Sequence, residues 1–230
     1  MQRSKLLALA GSHLALWVAL AGCTRGPSSS DSSPAANIKS PADKQASAAA
    51  PLPPQTQEPA DPLHPVVALE TSLGKITLTL NAEKAPITVK NFLSYVNAGY
   101  YDRTIVHQVF RGHGVVAGGY GTDLTEKHAH MAIRNEADNG LKNVRGAVAM
   151  ARSPEAIDSA TSQFFINLAD NPSLDFRERT ADGYGYCVFG QVTEGMDVVD
   201  QMASVEVHNT RDLERTPVNP IIITSARQVR

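Results

Sequence analysis

The side chains that could do chemistry in this chain stand in short apolar stretches. His107 and Gln108 lie inside Val106-His107-Gln108-Val109-Phe110, Arg152 follows Met150-Ala151, and Gln163 precedes Phe164-Phe165-Ile166-Asn167. Histidine suggests a second chemistry, because His107, His113, His128 and His130 invite a metal site. His128 and His130 would share one face of an extended segment. No cysteine or carboxylate cluster completes a recognisable ligand set, so no metal or other cofactor is expected. Gly118-Gly119 is expected to shape a backbone turn, and Asp197 and Asp200 to solvate a helix face.

Periodicity supplies elements to position these residues. Val66 to Thr71 and Lys75 to Leu80 alternate apolar and polar side chains, which predicts a hairpin through Ser72-Leu73-Gly74. Pro86 suits a first helical turn, Val89, Phe92, Leu93 and Val96 fall on one helical stripe, and Gly99 ends it. Met196, Val199 and Met202 predict a second short helix entered through Gly195, and Ile221-Ile222-Ile223-Thr224 a buried closing strand. Between them, short apolar runs broken by Gly, Asn and Asp point to a sandwich or barrel. Periodicity therefore gives a mainly β domain with two helices.

The chain has 230 residues, and nine of its fourteen prolines lie between Thr24 and Pro65. That stretch lacks the apolar content to offset ordering entropy, so it is expected to be a disordered tether. As a coil it would span about 35–40 Å. Arg3 and Lys5, then apolar Leu6 to Ala19, predict an export signal over residues 1–22. Leu20-Ala21-Gly22-Cys23 resembles the bacterial lipobox, which implies lipidation at Cys23 and anchoring to a membrane. Thr24 after the cysteine, rather than aspartate, implies the periplasmic face of the outer membrane in a bacterial cell envelope. Losing Arg3 and Lys5 with the signal takes the formal net charge from −2 to −4, so no basic surface for nucleic acid is expected. Cys187 would then be the sole thiol of the domain, and its strand-like run predicts a buried, inert one.

Asn143-Val144-Arg145-Gly146-Ala147-Val148-Ala149-Met150-Ala151-Arg152, followed by Ser159-Ala160-Thr161-Ser162-Gln163-Phe164-Phe165-Ile166-Asn167, resembles the central signature of the cyclophilin-type peptidyl-prolyl isomerases. The segment from Val106 to Gly119 aligns with the other half of that family's active site. The resemblance covers residues 66–230. It implies a closed eight-stranded antiparallel barrel capped by two helices, after residues 1–22 of signal and 23–65 of tether. It places Phe165 and Leu174 in the wall of a proline pocket and Gln163 beside the substrate backbone. Ala151 and Arg152 fall on the segment whose main chain pairs with the peptide. Tyr186 sits where members carry histidine or tyrosine, and His107 just before the catalytic arginine. Gln108 occupies that arginine's position. His113 and Gly114 replace the aromatic and methionine that close the pocket, and Val116 replaces a glutamine that supports the arginine. Arg152 is the arginine best placed by family geometry to act instead.

Rotation about an X-Pro bond meets a barrier of about 20 kcal/mol from amide resonance. A donor aimed at the twisted, pyramidal nitrogen lowers that barrier by transition-state complementarity. Glutamine donates one neutral, unforked hydrogen bond in place of a guanidinium. Losing one preorganised donor costs about 10²–10³ in rate, and the change at His113-Gly114 weakens proline binding by roughly 1–3 kcal/mol. Two functions follow. One is an isomerase of reduced activity acting on proline-containing segments of exported proteins. The other is a peptide-binding chaperone or adaptor that does not catalyse rotation.

Overall fold

The computed structural model describes residues 61–230. The stretches expected to be an export signal and a tether, up to residue 60, lie outside the described residues, as does Cys23. Ten strands and two helices follow in the order β1 (Val66–Thr71), β2 (Gly74–Leu80), α1 (Pro86–Asn97), β3 (Thr104–Phe110), β4 (Gly114–Gly121), β5 (Ala147–Met150), β6 (Phe164–Asn167), β7 (Val188–Glu194), α2 (Met196–Ser204), β8 (Val207–His208), β9 (Thr216–Pro217) and β10 (Ile221–Gln228). Eight of them close an antiparallel barrel in the order β1-β10-β3-β4-β6-β5-β7-β2, and β8 pairs with β9 as a separate ribbon. The mainly β, eight-stranded barrel with two helices matches the expectation.

Alternation drives the closure. Val67, Leu69, Ile76, Leu78 and Leu80 point inward, and Val66 to Thr71 pair in register with Gly74 to Thr79. The turn itself is Ser72-Leu73; Gly74 opens β2, where a Cβ would press on Val198 of α2 at 2.8 Å. In α1 the buried stripe is Val89, Phe92, Tyr95 and Val96. Phe92 stands 5.1–5.4 Å from the rings of Tyr101, Phe164 and Phe189, which makes it the centre of the core. Ala85 offers α1 no side-chain cap. The Glu136 carboxylate takes that place, accepting the N–H groups of Ile87 at 3.1 Å and Thr88 at 2.8 Å and the Thr88 hydroxyl at 2.8 Å. A negative charge there satisfies orphan donors and complements the helix dipole. In α2, Val198, Val199 and Met202 are buried. Gly195 enters it with φ of 84°, and a Cβ there would fall on the Lys75 carbonyl oxygen, so only glycine serves.

Several expectations need correction. Residues 61–65, assigned to the tether, belong to the folded unit: the Leu63 carbonyl accepts the Ala82 N–H at 2.8 Å and Pro65 that of Leu80 at 2.9 Å. Gly118-Gly119 is no turn but lies within β4. Asp200 does not merely solvate its helix; it pairs with Arg145 at 2.7 Å. Cys187 is buried as expected, 3.4 Å from the Thr88 hydroxyl, and burial pushes its thiol up to about 12. No helix among the described residues is long and apolar enough to cross a membrane.

Candidate active site

Two irregularities in the β3–β4 pairing decide which side chains reach the outer face of the barrel. Val106 pairs with Ala117 and Gln108 with Val116, so β3 carries one extra residue, His107, as a bulge. β4 answers with extra residues between Ala117 and Gly121, where Gly118 has φ of +88°. A Cβ on Gly118 would lie 2.7 Å from Tyr101 and 2.9 Å from Phe164, so the bulge needs glycine on packing grounds as well. Cross-strand partners share a face. Gln108, Val116, Phe165, Ala149 and Val188 therefore form one row across the outside of β3, β4, β6, β5 and β7. Val116, Ala147, Ala149, Phe165, Leu174 and Val188 form an apolar cluster separate from the barrel core, with Phe110, Ala151 and Tyr186 packed against it.

The walls of this groove are held from behind. Tyr186 meets Phe165 edge-on at 5.7 Å, and burial raises its phenol pKa. Leu174 ends a short 3-10 turn, Pro172–Leu174, and is buried. Three buried asparagines tie the surrounding loops together. Asn143 Nδ2 donates to the carbonyls of Leu174 at 3.1 Å and Tyr186 at 3.4 Å. Asn167 Nδ2 donates to Asn143 Oδ1 at 3.3 Å, and Asn171 Nδ2 to Asn167 Oδ1 at 2.7 Å and the His113 carbonyl at 2.9 Å. Sequence reasoning passed over this layer, although Asn143 and Asn167 lie in the quoted signature; a side chain's distant partners leave no local trace.

Each residue expected at the site has a place. Ala151 borders the groove, and its N–H is already bonded to the Gln163 carbonyl at 2.9 Å. Gln163 stands at the rim, half-buried, with Nε2 3.2 Å from Glu126 Oε1. His113 is exposed in the β3–β4 turn, and its carbonyl also accepts the Leu168 N–H at 2.8 Å. Gly114 is closely packed: a Cβ there would stand 3.1 Å from the Ile166 carbonyl oxygen and 3.6 Å from Phe165. Gln108 faces the groove but is 2% exposed, and its Oε1 is buried without a partner.

Arg152 does not fill the catalytic part considered for it. It is 5% exposed, and its guanidinium is committed to main-chain carbonyls. Nε donates to Gly185 at 2.8 Å, Nη1 to Ser153 at 2.8 Å and Pro154 at 3.1 Å, and Nη2 to Ala181 at 2.7 Å. That uses four of the five N–H groups. The same guanidinium lies 5.0 Å from the Tyr186 ring centroid, so it packs against that ring.

The structure does not gather the four histidines. His130 stacks on Tyr95 at 4.4 Å, His113 lies in its turn, and among the described residues no group of three His, Cys, Asp or Glu comes together. His107 is fully buried in the bulge, 4.6 Å from the Tyr120 ring, and neither ring nitrogen reaches a hydrogen-bond partner in good geometry. Burial pushes its pKa down to about 4; the Ile105 backbone and Gln163 side chain oppose this only in part. The native state thus binds fewer protons here than the unfolded chain does. Its stability is fully present above pH 6.5 and falls by about 3 kcal/mol as the pH drops from 6.5 to 4, where it levels off. Urea titrations of the wild type and His107→Leu across this range check it: the difference between the two curves should carry this slope. Parallel curves would contradict it.

A model of the family described as cyclophilin type peptidyl-prolyl cis-trans isomerase matches residues 66–228. Peptidyl-prolyl cis-trans isomerase A of Dickeya dadantii is 48% identical over 164 residues, which cover 71% of this chain and 84% of that protein. Peptidyl-prolyl cis-trans isomerase B of Escherichia coli is 44% identical over 160 residues, covering 70% and 97%. A crystal structure of a Cryptosporidium parvum cyclophilin type peptidyl-prolyl cis-trans isomerase superposes with a TM-score of 0.59 over 73% of this chain and 98% of its own. At 23% identity that likeness concerns the fold.

Proposed function

The chain belongs to the cyclophilin-type peptidyl-prolyl cis-trans isomerase family, and on that premise we propose that it turns over X-Pro bonds of exported proteins in the cell envelope, with activity reduced by Gln108. The observation that carries this reading is the outer row Gln108–Val116–Phe165 with Tyr186 and Leu174 as walls. Phe165 supplies an aromatic face for the pyrrolidine ring. Its surroundings exclude water from the substrate carbonyl, and Gln163 stands at the rim within reach of the peptide backbone. Nothing covalent is required, so a shaped apolar groove with one well-aimed donor is a sufficient catalyst. Access to exported proteins comes from the export signal over residues 1–22 and a lipid on Cys23, with residues 24–60 as tether. Mass spectrometry of the mature N-terminus tests that placement: a diacylglyceryl cysteine at position 23 is the expected result, and an unmodified residue contradicts it.

The chemistry is tested by refolding a client whose slow phase, tens to hundreds of seconds long, is set by proline isomerisation. Residues 61–230 close their own barrel and core, so they serve as the catalyst in solution. Their addition should shorten the slow phase in proportion to concentration. One feature favours the peptide-binding alternative: the Gln108 amide is buried, with an unpaired oxygen and no charge. In that case the client binds but its slow phase stays unchanged at every concentration.

A further inference from the structure

We propose that Arg215, on the loop leading into β9, delivers to the groove the guanidinium that position 108 lacks, with the Gln108 side chain as its anchor. This deepens the isomerase reading and rests on it. Arg215 is placed by its backbone. Its carbonyl accepts the Val109 N–H at 3.0 Å and its own N–H is held by Asn209 Oδ1 at 3.0 Å, with φ of 56°. A carbonyl bonded to Val109 puts residue 215 alongside β3 at about the 4.8 Å spacing of neighbouring strands. It therefore lies level with the stretch from Gln108 to Phe110, on the edge away from β4.

The side chain turns to the groove side. The Arg215 guanidinium carbon stands 5.3 Å from the Phe110 ring centroid, and Phe110 packs against the apolar cluster of the groove. Stacking on an aromatic face leaves the N–H groups of a guanidinium available. Among the described residues no hydrogen bond or ion pair engages those of Arg215. Other arginines around the site are committed: Arg111 to the Val205 carbonyl, Arg145 to Asp200 and the Leu168 carbonyl, and Arg152 to four carbonyls.

A second observation points to the same spot. Gln108 lies two residues from Phe110 on the same face, and its Oε1 is a buried acceptor with no donor. Leaving such a group unpaired is costly. One N–H of Arg215 would satisfy it and fix the guanidinium, while the remaining donors face the floor of Val116 and Phe165, where the nitrogen of a bound X-Pro bond lies. The carboxamide then positions the donor, and the donor acts on the substrate.

The test compares kcat/KM on an Ala-Pro peptide for residues 61–230 and five variants. Arg215→Ala should lose about 10²-fold, mainly in kcat, and Arg215→Gln, which keeps a polar but shorter and neutral side chain, should lose nearly as much. Gln108→Leu should also lose activity, and the Gln108→Leu, Arg215→Ala double variant should be no slower than the worse single one, because the two act as a unit. Gln108→Arg introduced into Arg215→Ala should recover the rate, which a merely structural role for Arg215 would not allow. Arg215→Ala within twofold of an active wild type overturns the proposal and leaves the isomerase reading standing, as do fully multiplicative losses. A wild type that does not catalyse overturns both.

Discussion

Arg152→Ala should lower the stability of the barrel by about 3–5 kcal/mol, as large an effect as any single substitution outside the central core. The guanidinium is 5% exposed and serves the carbonyls of Gly185, Ser153, Pro154 and Ala181. Alanine leaves them without that donor; Gly185 keeps a second, from Asn135 Nδ2 at 3.2 Å, and Ser153 keeps the Ala156 N–H at 3.3 Å. Each hydrogen bond to a charged group is worth about 1.5–3 kcal/mol, and water recovers part of the loss. Arg152→Lys should recover less than half, because a point ammonium cannot span four acceptors in the geometry of a planar fork. Tyr186, under the same guanidinium at 5.0 Å, should loosen with it, so peptide affinity should fall too. Urea unfolding reads the first effect as a shift in midpoint at constant slope. A stability loss below about 1 kcal/mol together with a collapse in turnover would instead return Arg152 to the role of direct donor.

The neighbouring phenylalanines of β6 should separate cleanly. Phe164 points into the barrel, 1% exposed, with edge-on contacts to Phe92 at 5.4 Å and Tyr101 at 5.5 Å. Phe164→Ala should cost about 3–5 kcal/mol of stability, through lost transfer energy and a cavity that the surrounding rings cannot fill. Phe165, one residue on and on the other face, lines the groove. Phe165→Ala should cost clearly less stability, because water can enter the space it leaves, while peptide turnover drops by about 10–200-fold. Denaturant midpoints and turnover measured on the same two proteins decide it. If Phe165→Ala lost the stability and kept the turnover, the groove would be placed on the wrong face.

Much of the fold was legible because its signals are local. The β1–β2 hairpin, the α1 stripe, α2 behind Gly195 and the apolar start of β10 all follow from periods of 2 or 3.6 and from glycine placement. The resemblance then supplied closure, strand number and a set of residues around the outer apolar cluster: the register brings Gln108 and Phe165 to one outer face, and Leu174, Tyr186 and Ala151 pack onto it, with Gln163 at its edge. What stayed hidden depends on partners far along the chain. A bulge such as that at His107 exists only relative to β4, so a regular strand was the natural expectation. Arg152 looked like a spare donor because nothing near it in sequence announces the carbonyls of Ala181 and Gly185. Residues 61–65 looked like linker by composition, yet two of their carbonyls extend the pairing onto Leu80 and Ala82. Arg215 had no signal at all: its position follows from one hydrogen bond to Val109, more than a hundred residues earlier.

Exchange spectroscopy on an Ala-Pro peptide in the presence of residues 61–230 tests most directly whether this groove catalyses rotation without an arginine at position 108. The account predicts cis/trans exchange clearly faster than the uncatalysed rate, with resonances of Phe165 and Tyr186 shifting as peptide is added. Shifts at those residues with exchange left at its uncatalysed rate would contradict it and identify the groove as a site that only binds.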